Sequence, residues 1–328
     1  MTNAARLPDE GKLVSFRGAT GWLNSPPLTP DDLKGKVVLI NFWTFTCINW
    51  IRTAPYIKAW AKKYKDYGLV VVGVHTPEFS FEHEVDNVTR AAKEMQVDYP
   101  IALDPSYDVW TDFDNHYWPA VYITDAKGRI RHHQFGEGDY DRVERVIQAL
   151  LTDGGYDGFP QDLVRVDPAG SEVAADWDNL QTGETYVGYG HGDSPTSPDG
   201  LVADKVHDYV APRQLRLNEW GLAGTWTISQ EAIQSGASNG RIIFRFHARD
   251  VHLVMGSPVT GTTVPFRVLV DGKPPGDSHG TDIDAKGDGI VAEERLYQLV
   301  RQVGPIADRE IEIEFFAAGA DVFVFTFG

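Results

Sequence analysis

The residues around the single cysteine have the pattern of a redox site that lacks its second thiol. The stretch "FWTFTCINWIRT" spans Phe42–Thr53, and an apolar run leads into Cys47. A second cysteine at position 50 would complete a C-x-x-C dithiol, but Trp50 stands there. One cysteine excludes an internal disulfide. Cys47 is therefore a reactive thiol, a buried inert side chain or a residue that pairs with another molecule.

Two buried strands and one helix are expected to position this cysteine. "KVVLINFW" (Lys36–Trp43) and "YGLVVVGVH" (Tyr67–His75) are near-continuous apolar runs, which predict strands buried on both faces. The sequence between them predicts a helix from Cys47 to Tyr64, with a kink at Pro55. Because parallel strands joined by a helix end at the same edge of a sheet, both strands bring polar residues to that edge.

At this edge we expect Cys47 to be the catalytic residue. A helix N-terminus favours the thiolate and lowers the pKa of a thiol from about 8.5 by one to several units. His75 is expected to lower the thiol pKa further or to act as a base. The alternative for His75 is a structural cap at a strand end. Thr44 brings a hydroxyl near the sulfur, and Glu78 follows the second strand as a candidate substrate contact.

The segment "NHYWPAVYI" adds a loop before a third strand. Trp118 and Pro119 are candidate substrate-binding residues there, because an aromatic residue before proline favours a cis bond that would expose the neighbouring backbone groups. The alternative is an ordinary trans turn, and spacing alone favours it.

The rest of the first half continues the alternation of helices and strands. "FEHEVDNVTRAAKEM" (Phe81–Met95) has an apolar face at helical spacing. Pro119–Phe135 predicts two strands joined by a tight turn, and "YDRVERVIQALL" predicts a closing helix. The resulting order β-α-β-α-β-β-α predicts a central sheet covered on both faces.

After residue 155 the chain changes character. "DGGYDGFPQD" is rich in turn residues and predicts a linker, and the short alternating strands beyond it predict an all-β sandwich or jelly roll. Trp220, Trp226, Tyr186 and Tyr189 would either stack on sugar rings or fill the core, and a core role is favoured. His247 and His252 alternate with apolar residues and are expected to face solvent or to be hydrogen-bonded.

We expect no metal and no cofactor. "DIDAKGDGIVAE" (Asp282–Glu293) matches a calcium-binding loop at its first, third, sixth and twelfth positions. Lys286 stands at the fifth position, where an oxygen ligand belongs, and no helices are predicted on either side. A β-hairpin turn is the favoured interpretation.

Composition limits the classes of partner. The chain has 328 residues, 42% of them hydrophobic, and a net charge of -17, which argues against nucleic acid and anionic membrane surfaces. No run is long enough to span a bilayer, and "MTNAARLPDEGKLVSF" lacks the pattern of a secretory signal. We therefore expect a cytoplasmic protein, or an extracytoplasmic one if the chain is a fragment of a membrane-anchored protein.

Residues 12 to 152 resemble the thioredoxin-like redoxins of the TlpA/ResA and AhpC/TSA type. The resemblance lies in "VVLINFWTFTC", in the helix with an internal proline, in "LVVVGVHTPEF" and in "YWPAVYITDAKGRIR". The whole chain is similar to the soluble C-terminal part of the DipZ family, through "HTPEF", "FGEGDY", "NEWGLAG", "FRFHARDVHLV", "RLYQLVRQ" and "FTFG". In that family the soluble part follows a membrane electron-transfer domain and lies outside the cytoplasm.

The resemblance implies an α/β thioredoxin-like fold followed by an all-β sandwich similar to carbohydrate-binding modules. The corresponding boundaries are 1–152 for the redoxin domain, 153–175 for a linker and 176–328 for the β-sandwich domain. A glycan at the second domain is one implied partner.

The family's functional residues map onto this sequence with one departure. The nucleophilic cysteine falls on Cys47 and the cis-proline on Pro119, so the resemblance replaces the trans turn that spacing alone favours. The resolving cysteine falls on Trp50. Thioredoxins carry a buried aspartate where this chain has Asn41.

Without a resolving thiol, a mixed disulfide on Cys47 cannot be resolved within the chain. Cys47 would form mixed disulfides cleared by an outside thiol, or form a sulfenic acid with peroxide, or be silent. Thr44-x-x-Cys47 is similar to the T-x-x-C of one-cysteine peroxiredoxins, in which the threonine orients peroxide. Trp50 would shield the sulfur and stack on a ligand, or simply fill space, and shielding is favoured.

These observations predict a thiol-dependent redox protein that acts through a single nucleophilic cysteine. Its partners would be a thiol or disulfide protein, a small thiol or peroxide. The alternative is a non-catalytic binding protein with a thioredoxin scaffold and a carbohydrate-binding-like module.

Overall fold

The computed structural model of the chain describes residues 7–259 and 261–328. The chain divides into two compact units, Met1–Glu172 and Val173–Gly328. Each unit has its own sheet and its own cluster of buried apolar side chains, and each is described by itself.

A seven-stranded sheet forms the centre of the first unit. Its strands are β1 (Gly11–Lys12), β2 (Gly21–Leu23), β3 (Val37–Trp43), β4 (Leu69–His75), β5 (Ile101–Leu103), β6 (Ala120–Thr124) and β7 (Arg129–Phe135). Their order across the sheet is β1-β7-β6-β3-β4-β5-β2. β3, β4 and β5 run parallel, and the other neighbouring pairs are antiparallel. β3 and β4 therefore end at the same edge, as predicted.

The central position of β3 follows from its composition. Every residue of β3 is buried, and β4 is buried except at Val70, which is partly exposed. Such a strand is stable only where both faces of the sheet are covered. The near-continuous apolar runs in the sequence therefore mark the two strands that position the site.

Four helices accompany this sheet. They are α1 (Ile48–Tyr64), α2 (Val85–Glu94), α3 (Asp108–Asp112) and α4 (Tyr140–Asp153). The first begins directly after Cys47 and contains Pro55. Ile57, Trp60 and Tyr64 recur at helical spacing in α1 and are all buried, so this face of the helix belongs to the core.

Several elements differ from the sequence predictions. The segment expected to be one helix from Phe81 to Met95 begins instead as a 3₁₀ turn at Ser80–His83, and α2 starts at Val85. The side chain of Glu82 causes this difference, because its carboxylate turns back to accept the backbone N–H groups of the preceding loop. The sequence did not predict β1, β2, β5 or α3, because elements of two to five residues carry too little periodicity.

Part of the predicted linker packs on the first unit. The ring of Phe159 is buried, with its centroid 5.9 Å from that of Tyr64. The backbone N–H of Val164 donates to the carboxylate of Glu144 on α4, at 2.8 Å. This stretch is therefore held by side chains of α1 and α4.

An antiparallel sheet forms the second unit. Its strands are β8 (Thr185–Tyr186), β9 (Val206–Tyr209), β10 (Trp220–Ile228), β11 (Ile233–Ser235), β12 (Gly240–Phe246), β13 (Asp250–Gly256), β14 (Val264–Val270), β15 (Asp288–Val291), β16 (Arg295–Arg301), β17 (Arg309–Phe315) and β18 (Asp321–Phe327). The main order is β15-β14-β17-β12-β10-β11-β18-β13-β16, with β8 beside β18 and β9 beside β10.

The core of this second sheet follows from strict alternation in sequence. In β17, Ile311, Ile313 and Phe315 are buried, whereas the glutamates between them are partly exposed. The Phe315 ring meets Trp226 edge-on, with centroids 5.6 Å apart. The prediction of short alternating strands is thus confirmed, and the unit is a curled antiparallel sheet.

Candidate thiol site

The parallel pairing of β3 and β4 sets the place of the site. Trp43 and His75, the last residues of the two strands, lie opposite each other in the ladder. Thr44 to Cys47 then form a short loop, in which the backbone N–H of Cys47 donates to the carbonyl of Thr44 at 3.4 Å. The loop brings the cysteine to the start of α1.

Cys47 is the N-cap residue of α1 and is partly exposed. Its φ and ψ of -68° and 112° are extended, and its carbonyl accepts the N–H of Ile51 at 2.9 Å, which closes the first helical turn. Its Sγ lies 3.8 Å from the carbonyl oxygen of Trp118, within reach of a weak S–H donor. The sulfur therefore sits at a helix N-terminus, beside the loop before β6.

The loop before β6 is built around Trp118 and Pro119, whose peptide bond is cis, as the resemblance implies. The indole Nε1 of Trp118 donates to the carbonyl of Thr76 at 3.1 Å, which ties this loop to the end of β4. The Trp118 ring packs against the ring of Trp110 at an angle of 41°, with centroids 4.3 Å apart. The structure therefore brings Trp118 and Cys47 together.

The structure corrects the interpretation of Trp50 as a shield near an exposed helix start. Its side chain is 0% exposed and stacks on Trp43, with ring centroids 4.2 Å apart. The physical reason is helix geometry, since the third residue after the N-cap faces inward and packs on the last residue of β3. Trp50 therefore fills space in the core and offers no face to a ligand.

His75 is also placed differently from the expectation. It is 2% exposed, stacks on Phe45 at 5.8 Å between ring centroids and meets Trp43 edge-on at 4.9 Å. Burial lowers the pKa of His75 to about 3, so the ring is neutral at neutral pH. A neutral ring supplies no positive charge, so its burial argues against His75 lowering the thiol pKa as a cation. A role of His75 as a base stays a prediction.

Thr44 and Glu78 lie around a third residue, Glu82. The hydroxyl of Thr44 is fully buried and close enough to the Glu82 carboxyl to help lower its pKa, but it forms no hydrogen bond within the described residues. The backbone N–H of Glu78 donates to Glu82 Oε2 at 2.7 Å. Both residues therefore lie next to Glu82, which in turn is hydrogen-bonded to Thr46, the residue before Cys47.

Glu82 is the functional candidate that sequence reasoning missed. It is 1% exposed, and its Oε1 accepts from the hydroxyl of Thr46 at 2.7 Å and from the Thr46 backbone N–H at 3.3 Å. Burial raises the pKa of Glu82, and hydrogen bonds offset this only in part. A glutamate directly after the two phenylalanines of "FSF", close behind a buried strand, was the available signal.

A buried ion pair anchors the first half of α1. Arg52 Nη1 lies 3.0 Å from Glu137 Oε1, and both side chains are almost completely buried. Burial raises the pKa of Glu137 despite the attraction of Arg52. Glu137 belongs to the "FGEGDY" motif, so this motif holds the helix that Cys47 begins.

In the second unit, the aromatic candidates separate by burial. Trp220 and Trp226 are core residues, whereas Tyr186 is partly exposed and Tyr189 is exposed. Buried indoles cannot stack on a sugar, and a glycan partner for this unit stays a prediction.

The two histidines of the second unit also differ. His247 Nδ1 lies 2.7 Å from Asp308 Oδ1, so it is paired as expected. His252 is fully buried, so a solvent-facing position is excluded for it.

The calcium-like segment Asp282–Glu293 is a turn held by its own carboxylates. Asp284 accepts the backbone N–H groups of Lys286 and Asp288 at 2.8 and 3.0 Å. Asp282 is paired with Arg295 at 2.7 Å. Within residues 7–259 and 261–328, no three or more His, Cys, Asp or Glu side chains are grouped as metal ligands would be.

Comparison with known proteins agrees with this geometry. Residues 24–133 match the AhpC/TSA family, and residues 182–328 match the "Thioredoxin like C-terminal domain". Thiol-disulfide oxidoreductase YkuV of Bacillus subtilis is 31% identical over 142 residues, which cover 43% of this chain and 95% of YkuV. The chain belongs to the thioredoxin-like redoxins.

The similarity of one relative of this redoxin extends over both units. Protein DipZ of Mycobacterium tuberculosis is 38% identical over 340 aligned residues, which cover 99% of this chain and 44% of DipZ. The chain thus spans less than half the length of DipZ. A solved thioredoxin-like protein in the oxidized form is 30% identical, with a TM-score of 0.39, covering 45% of this chain and 97% of its own. Among the described helices of this redoxin, none has both the length and the apolar character needed to cross a bilayer.

Proposed function

We propose that this redoxin carries out thiol-disulfide exchange through Cys47 alone. The observation that carries the proposal is the position of Cys47, which is partly exposed at the N-cap of α1 with its Sγ 3.8 Å from the Trp118 carbonyl. The first N–H groups of a helix stabilise an anionic thiolate at that position. Membership of the redoxin family supports the same chemistry.

The exchange consists of two displacements. The Cys47 thiolate attacks one sulfur of a partner disulfide R–S–S–R′, so that a Cys47–S–S–R bond forms and R′–S⁻ leaves. An external thiolate R″–S⁻ then attacks the R sulfur, which forms R–S–S–R″ and returns the Cys47 thiolate. Cys47 ends unchanged, and electrons are conserved between the partners.

The second thiol must come from outside because of Trp50. The position that would carry a resolving cysteine holds an indole packed on Trp43. The mixed disulfide on Cys47 therefore persists until a small thiol or a protein thiol attacks it. A thiol or disulfide protein is the partner class that this chemistry requires.

The sulfenic-acid route stays a prediction. Peroxide would transfer one oxygen to the Cys47 sulfur, and two outside thiols would then restore it with release of water. Thr44 was expected to orient the peroxide, but its side chain is fully buried and does not meet a peroxide arriving from solvent. Exchange with disulfides is therefore the preferred proposal.

An aromatic disulfide reagent, 5,5′-dithiobis(2-nitrobenzoate), tests the proposal at pH 7. We expect one thiolate released per chain, an adduct that persists and is visible by mass spectrometry, and its removal by glutathione. Cys47→Ser is a suitable control because serine is a preferred N-cap residue, so that variant keeps its fold and releases nothing. A folded wild-type protein that reacts only near or above pH 8.5 would instead support the rival, a non-catalytic binding protein.

For the chain as a whole, we propose the boundaries 1–152 for the redoxin domain, 153–175 for the connection and 176–328 for a jelly-roll domain like a carbohydrate-binding module. The antiparallel pairing of the strands β8 to β18 supports the jelly-roll proposal. An extracytoplasmic location, which the DipZ resemblance implies for a fragment of a membrane-anchored protein, stays a prediction.

A further inference from the structure

The carboxyl of Glu82 joins the loops that follow β3 and β4. Its Oε1 accepts the hydroxyl and the backbone N–H of Thr46, and its Oε2 accepts the backbone N–H groups of Glu78 and Phe79 at 2.7 and 3.1 Å. Within the described residues, no lysine or arginine forms an ion pair with it. The four hydrogen bonds that this carboxyl accepts therefore offset the free-energy cost of burying it.

Thr46 connects this carboxyl to the thiol. Thr46 and Cys47 are consecutive, so their Cα atoms are about 3.8 Å apart. Any change in how Glu82 holds Thr46 therefore acts on the residue that begins α1. A negative charge on Glu82 also opposes a second negative charge on the neighbouring sulfur.

Several groups face Glu82 from the elements around it. A cavity of about 20 Å³ is lined by Glu82, by His75 of β4 and by Asp104 from the loop after β5. His83 from the same 3₁₀ turn also lines it, and the Tyr107 hydroxyl donates nearby to the carbonyl of Pro77. His75 Nε2 is buried without a hydrogen-bond partner. About 10–15 Å³ is enough for one water molecule, so this cavity is large enough to hold one.

We propose that Glu82 is a positioning residue for Cys47, and that gain or loss of its proton, transmitted through Thr46, changes the reactivity of the thiol with pH. The inference deepens the proposed function and rests on it. Burial raises the pKa of Glu82 above that of an ordinary glutamate, so the carboxyl changes charge closer to neutral pH than a surface glutamate does. The proton on Glu82 leaves as pH rises, and the thiol then loses its proton beside a negative charge.

The test is the rate of alkylation of Cys47 by iodoacetamide as a function of pH in the full chain. We expect two inflections in the wild type, the lower one from Glu82 and the upper one from the thiol. Glu82→Gln removes the lower inflection and moves the upper one down by about half to one pH unit, which makes alkylation roughly three- to tenfold faster below that inflection.

Glu144→Gln is the matched control, because Glu144 is also a buried, hydrogen-bonded carboxyl. It contacts Trp60 and Tyr64, which lie 13 and 17 residues after Cys47, or about 20 and 26 Å along α1. We expect its alkylation profile to match the wild type.

A second pair of variants keeps the test decisive if Glu82→Gln does not fold. Thr46→Val removes one donor to Glu82 and should move the lower inflection to higher pH, whereas Thr46→Ser keeps the hydroxyl and should restore it. Superimposable profiles in folded Glu82→Gln, or in both Thr46 variants, would overturn the inference. Failure of disulfide exchange with the two inflections intact would overturn the proposed function instead.

Discussion

Three ionisable side chains lie around one loop, and burial affects each in a different way. His75 is neutral because a charged imidazole cannot be hydrated in its aromatic surroundings. Glu82 keeps four hydrogen bonds, yet burial still favours its protonated form. Only Cys47 is partly exposed, and it lies where helix N–H groups favour its anion. The site therefore has its nucleophile at the surface and its other titratable groups beneath.

His75 gives a prediction about acid stability. Its folded-state pKa of about 3 lies below the unfolded value near 6.5, so between these pH values the unfolded chain binds a proton that the folded chain does not. The contribution of His75 to the free energy of unfolding should fall, as pH drops through this window, by about 1.4 kcal/mol per pH unit. His75→Asn should remove this slope in urea denaturation between pH 6 and pH 4.5.

The control for this prediction is His116→Asn, because His116 is an exposed residue of the same unit. Its stability curve should run parallel to that of the wild type. If the curve of His75→Asn also ran parallel, His75 would not be a buried neutral group.

At the scale of elements, α1 is held at both ends, by the sheet near its start and by α4 near its end. Near its start, Trp50 packs on Trp43 of β3, and near its end Trp60 and Tyr64 donate to Glu144 of α4 at 3.1 and 2.6 Å. The helix is therefore fixed in position before any partner arrives. Trp50, which stands at the position of the missing resolving thiol, is part of the packing between this helix and β3.

Restoring that thiol should therefore cost stability. Trp50→Cys replaces a fully buried indole by a small side chain, and the resulting cavity should lower the free energy of unfolding by about 3–5 kcal/mol. Urea denaturation followed by circular dichroism, in reductant, measures this change.

Trp177→Cys is the matched substitution at an exposed indole, and it should change the free energy of unfolding by less than about 0.5 kcal/mol. Equal losses in the two variants would show that the packing of Trp50 on Trp43 contributes little.

The long elements and the thiol loop were predictable, because their signals are local. The apolar runs of β3 and β4 and the spacing in α1 depend only on neighbouring residues. The inward direction of Trp50 and the burial of His75 depend on which side chains meet across the fold. Glu82 was predicted as one residue of an amphipathic helix, and its role arises from contact with Thr46, 36 residues earlier.

At the scale of the whole molecule, each unit has the means to fold alone. The buried cluster around Phe42 draws on residues of the first unit, and the cluster around Phe244 draws on residues of the second. A unit with its own core is expected to unfold as a separate cooperative transition.

Fragments test this expectation. Residues 173–328 should give a cooperative thermal transition alone, and residues 1–172 should keep the alkylation rate of Cys47. A fragment of residues 1–152 should melt at a lower temperature than 1–172, because it loses the buried Phe159 ring and the hydrogen bond from Val164 to Glu144. Equal melting temperatures for the two fragments would show that residues 153–172 add nothing to the stability of the redoxin domain.

The single thiol at the N-terminus of α1 also provides a unique site for attaching a spectroscopic probe. A maleimide dye or a spin label would attach at a single position among the 328 residues, beside the backbone carbonyl of Trp118. Changes in its emission or mobility would then register whatever docks there, whether or not any turnover takes place.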